Sequence, residues 1–127
     1  MIKEDYVSFE TAKRLKEKGF DESTTSQYLV YGIHYGEIGE YNITDRSRNP
    51  ENYIPAPTLQ MAMKWLRDEK GIAIIPIIHS ILDYEKFLWD IKIAVAKTNE
   101  TFSQGWVYEN PENGYDWAVR YCLENLI

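Results

Sequence analysis

The chain has 127 residues, 44% of them apolar, with ten tyrosines and four tryptophans. That is enough for one folded domain spanning residues 1–127 and unlike a disordered composition. A formal charge of −6 makes nucleic acid an unlikely partner, because phosphate binding rests on lysines and arginines displacing counterions; it suits a basic partner or simple solubility instead. The single cysteine, Cys122, excludes an internal disulfide and fits a reducing compartment.

The N-terminal MIKEDYVSFE lacks the apolar stretch of a signal peptide. The longest apolar run, Ile72 to Ile78, is broken by Pro76 and falls far short of the ~20 residues a membrane span needs. A cytoplasmic protein without a membrane segment is expected, so the N-x-T sequons at Asn42 and Asn99 carry no meaning. The first element is a helix over 9–18. Ser8 is its N-cap, Phe9, Ala12 and Leu15 form its apolar face, and Gly19 and Phe20 complete a Schellman stop against Leu15. DESTTS reads as loop. QYLVYGIHY, residues 27–35, alternates like a strand rich in aromatic and β-branched residues, and places Tyr31 and Tyr35 on it. EYNI reads as a short returning strand, and TDRSRNPEN as a mobile polar loop carrying Arg46 and Arg48.

In PAPTLQMAMKWLRDEKG the prolines hold the entry extended, Thr58 or its predecessor caps a helix, and Gly71 stops it. Leu59, Ala62, Met63 and Leu66 share its core face. Met61 and Trp65 form a flanking pair, either the edge of a wide buried stripe or an exposed partner-binding ridge. IAIIPIIHS is a strand that Pro76 assigns to an edge or a bulge. ILDYE turns the chain, FLWDIKIAVAKT is an antiparallel strand, QGWVY is a third strand, and NPENG is a turn. YDWAVRYCLENLI closes as a helix with Tyr115, Ala118, Val119, Cys122 and Leu126 on one face. The order predicts an α+β fold: an antiparallel sheet of three to five strands with about three helices packed mainly on one face.

No motif carries chemistry. His34 and His79 are far apart on separate strands, and no H-x-x-x-H or C-x-x-C occurs, so no metal ligands are assigned. There is no G-x-S-x-G and no phosphate-binding glycine loop, and Cys122 lies on a core face, so neither catalytic residues nor a cofactor site are assigned. The acidic turn of Glu109, Glu112 and Asp116 reads as a solvated helix start or a cation- or peptide-binding corner.

Three segments, VSFETAKRLKEKGF, APTLQMAMKWLRDEKGI and YCLENLI, together resemble a family of small uncharacterised proteins of gut Bacteroidetes and their phages and mobile elements. The matching segments are helical framework, so the resemblance implies a setting and no chemistry. The expected function is a non-enzymatic accessory protein that binds another protein or self-associates, with Met61, Trp65, Tyr31 and Tyr35 as aromatic and sulfur anchors and β-augmentation near Pro76 as a supplement. The alternative is a small-ligand or single-stranded nucleic-acid module. It would use the aromatic sheet face, the Arg46/Arg48 loop and the basic helix residues Lys13, Arg14, Lys16 and Lys18.

Overall fold

The computed structural model describes residues 5–41, 49–82 and 86–127. Three α-helices and two three-stranded antiparallel sheets make an α+β fold. The strands therefore belong to two sheets rather than one. The chain divides into two compact units, Met1–Thr58 and Leu59–Ile127.

In the first unit, α1 (Phe9–Glu17) begins where the Ser8 hydroxyl accepts the Thr11 N–H at 3.2 Å. It ends in the Schellman arrangement: Phe20 N–H donates to Leu15 O and Gly19 N–H to Lys16 O, with Gly19 at φ +100°. Val7 N–H donates to Pro57 O at 3.0 Å, which ties the start of the unit to its end. The sheet runs β2 (Ile38–Gly39), β1 (Gln27–Leu29), β3 (Tyr53–Pro55). Its core is Val7, Ala12, Leu15, Phe20, Tyr28, Ile54 and Ala56.

The strand expected over 27–35 stops at Leu29. Gly32 and Gly36 sit at φ +75° and +85°, in the left-handed region that β-strands exclude. The chain turns instead, with Gly36 N–H donating to Leu29 O and Leu29 N–H to Glu37 O. Gly36 also has a packing reason to lack a side chain, since a Cβ there would lie 2.9 Å from the Phe9 ring. The returning strand is Ile38–Gly39 rather than 40–43; Glu40 and Tyr41 are not in a strand, and positions 42–43 lie outside the described residues. Of the polar loop expected over 44–52, positions 44–48 also lie outside them. Pro50–Asn52 form a 3-10 turn capped by Asn49.

In the second unit, α2 (Leu59–Lys70) stops at Gly71, which has φ +66°. Three long strands follow: β4 (Ile72–Leu82), β5 (Lys86–Val95) and β6 (Glu100–Tyr108), in the order β4-β5-β6. Pro76 thus lies on an edge strand, where a missing N–H is tolerated, and a bulge follows it between Ile78 and Ser80. Ile81 and Leu82, expected in a turn, continue β4. β6 is nearly twice the length expected. It carries its own bulge opposite Asp90–Lys92, where Gly105 takes φ +78°.

The last helix, α3 (Pro111–Tyr121), starts four residues before the expected position. Asn110 and Pro111 are its cap and first residue rather than turn residues. Beyond Tyr121 the coil loosens into a π-turn over Cys122–Leu126. α2 packs on β4, α3 lies against all three strands, and the two helices touch each other. Gly114 permits the closest approach, because a Cβ there would meet Ile91 Cγ1 at 2.1 Å. The core is Leu59, Ala62, Trp65, Leu66, Ile72, Ile91, Ile93, Tyr115, Ala118, Val119, Cys122 and Leu123.

Candidate interaction surface

The register of the second sheet sorts its residues by face, because residues paired across antiparallel strands point the same way. Ile72, Ile74, Pro76 and Ile78 pair with Val95, Ile93, Ile91 and Trp89, and past the bulge Ile81 pairs with Phe87. Ile72, Ile91 and Ile93 on this row are buried, and Gly114 of α3 lies against Ile91, so this is the face the helices cover. Farther along the same row Ile78, Ile81 and Phe87 are exposed, Ile81 by 65%. The cover ends before the strands do.

The opposite face is apolar too. Ile75 and Ile77 on β4 are each about two-fifths exposed, and Val107 pairs with Asp90 on the same side. Trp106 projects from the β6 bulge and is two-thirds exposed. The uncovered end of the β4–β5 hairpin therefore presents isoleucine, phenylalanine, valine and tryptophan on both sides of one sheet. Exposed apolar side chains grouped in this way make this end a candidate interaction surface. Phe87 and Trp89 rings lie 5.8 Å apart and stiffen one side of it.

Several residues expected at the site lie elsewhere. Trp65 is not part of an exposed ridge. It is only 6% exposed, beside the buried Ala62 and Leu66 on one helical face, with the Lys70 ammonium 5.4 Å from its ring. Met61, four residues earlier, is half-buried. The wide buried stripe describes Trp65. Tyr31 and Tyr35 are exposed but occupy the Gly32–Gly36 turn of the first unit, where Tyr35 meets Phe9 edge-on at 5.2 Å. Arg46 and Arg48 lie outside the described residues. On α1, the Lys13 ammonium is held 3.7 Å from Glu10 and 5.1 Å over the Phe9 ring.

His34 sits in the turn rather than on a strand, with Nδ1 3.0 Å from Glu37 Oε2, and exposed His79 is the extra residue of the β4 bulge. Asp116 of the acidic turn pairs with Arg120 at 3.1 Å. Burial pushes the Cys122 thiol up to about 12, so it stays protonated at neutral pH and behaves as a small hydrophobe. Among the described residues no three His, Cys, Asp or Glu gather as metal ligands, and no helix is long and apolar enough to cross a membrane.

The signal for the exposed hairpin was present in IAIIPIIHSIL. A strand apolar at both parities asks for cover on both faces. Among the described residues of this unit, α2 and α3 are the α-helices that provide it. No family model, curated protein or solved structure matches the chain.

Proposed function

We propose that the chain is a non-enzymatic accessory protein that captures a basic protein partner on the uncovered end of the β4–β5 hairpin, in phage or mobile-element biology. The observation that carries this reading is the row Ile78, Ile81 and Phe87, exposed on the same face that buries Ile91 and Ile93. A partner covering that row would complete the layer that α2 and α3 begin. Aromatic and isoleucine side chains would act as anchors. The net charge of −6 selects the kind of partner. Two copies of this chain repel each other, whereas a basic protein bearing an apolar ridge is attracted over a distance.

The test is capture of a single protein from nuclease-treated lysate of a gut Bacteroidetes host by the tagged chain and by Ile78→Asp/Ile81→Asp. The expected result is one basic protein held at equal stoichiometry, lost with the double variant and weakened by salt, while the free chain runs as a monomer by light scattering. A captured protein that the double variant retains would move the site elsewhere. A dimer that the same variant dissolves would make the occupant a second copy.

A further inference from the structure

We propose that the cleft enclosed by α2, β4 and α3 binds a small organic acid, a carboxylate carried on an apolar body. The cleft has a volume of about 480 Å³, within the range of small-molecule sites. Its floor is apolar, made by Ile74 and Pro76 of β4 with Met63 of α2. Its wall is a polar stripe of α2. Gln60, Lys64 and Arg67 recur at i, i+4 and i+7, so they stand one above another, and all three line the cleft.

The cations are available. Among the described residues Lys64 has no ion pair or hydrogen bond. Arg67 uses Nε on its chain neighbour Asp68 at 3.0 Å, which leaves the guanidinium Nη groups to face a ligand. A guanidinium and an ammonium one turn apart suit the two oxygens of a carboxylate. They stand out in a chain with 14 basic and 20 acidic residues.

Tyr115 supplies an independent pointer. It is only 8% exposed, yet among the described residues its hydroxyl has no hydrogen-bond partner. No partnerless polar side-chain atom among them is sealed from solvent, so the hydroxyl reaches solvent, and Tyr115 lines the cleft. Burial first, and then the Glu112 charge, push its ionisation above the ordinary tyrosine range. It is therefore a donor at neutral pH. An acid oxygen in the cleft would accept its hydrogen bond. The lining is an apolar floor with three donors, a cation pair and a phenol.

The experiment titrates octanoate and its neutral counterpart octanamide into the intact labelled chain, read by amide chemical shifts. Octanoate should give saturable shifts on α2, Ile74 and Tyr115, and octanamide should give none at the same concentrations. Lys64→Gln/Arg67→Gln changes only exposed or cleft-facing groups and should weaken octanoate about tenfold or more. Tyr115→Phe should weaken it about fivefold. The proposal falls if octanoate leaves the spectrum unchanged to about 1 mM, if octanamide binds equally, or if the shifts map to the Ile77–Phe87 end of the hairpin. It also falls if the double glutamine variant, with an otherwise unchanged spectrum, binds as the parent does.

Discussion

Two halves of one hairpin, on one face of one sheet, meet opposite fates. Near its base Ile93 is wholly buried, whereas toward the tip Ile81 is 65% exposed, although the register places both on the helix side. Composition does not separate the halves, since both are isoleucine-rich. Rise per residue does. The 11 residues of β4 extend about 36 Å, and the 11 residues of α3 extend about 16 Å. A helix matched to a strand residue for residue covers less than half of it, and the remainder needs a second source of cover.

That contrast can be broken from the covered side first. Ile93→Ala should cost about 2–5 kcal/mol, since a buried isoleucine leaves a cavity, and chemical denaturation would measure it. Gly114→Ala should cost about 1–3 kcal/mol, because the new methyl collides with Ile91 in a packed interior; the same denaturation series ranks it second. A smaller effect concerns Cys122, at the end of the helix that provides the cover. Its thiol is raised from 9.0 to about 12, so above pH 9 the unfolded chain binds fewer protons than the folded one. Stability therefore falls as pH rises through that window, and thermal melts from pH 8 to about 11 should decline more steeply for the parent than for Cys122→Ala. The smallest effect belongs to the tip. Ile81→Ala should change stability by no more than about 0.5 kcal/mol, and a loss comparable to that of Ile93→Ala would show that the tip is covered by the fold itself.

Local chemistry was the legible part of this fold. The Ser8 cap, the Gly19–Phe20 stop and the Gly71 stop all lie where side-chain and glycine chemistry puts them. The α+β class followed from the order of periodic segments. What escaped was set by longer-range competition. Alternation over residues 27–35 suggested a strand, but Gly32 and Gly36 turned the chain and carried Tyr31 and Tyr35 off the sheet. Asn110–Pro111 is equally good as a turn or as a helix start; in the fold Asn110 caps the helix and Gly114 packs onto Ile91. The partition into two sheets depends on pairing between distant segments, to which single-segment patterns are blind. The candidate surface was half legible. Its residue types were visible, but exposure follows from where the helices end. Trp65 therefore appeared eligible for an exposed ridge and belongs to the core, whereas Ile78, read as part of a strand, and Ile81, read as part of a turn, stand exposed on the helix side of the sheet.

Pro76 governs what the chain does when it meets others like it during synthesis. β4 is an edge strand with a single ionisable side chain, His79, in its eleven residues, and an uncharged, β-branched segment of that kind is prone to stack into fibrils. A ring nitrogen at the fifth position leaves every stacked copy one amide hydrogen short. Replacing Pro76 with valine would restore that hydrogen and lengthen the uninterrupted template. This one residue makes the edge beside the bare hairpin tip a poor seed.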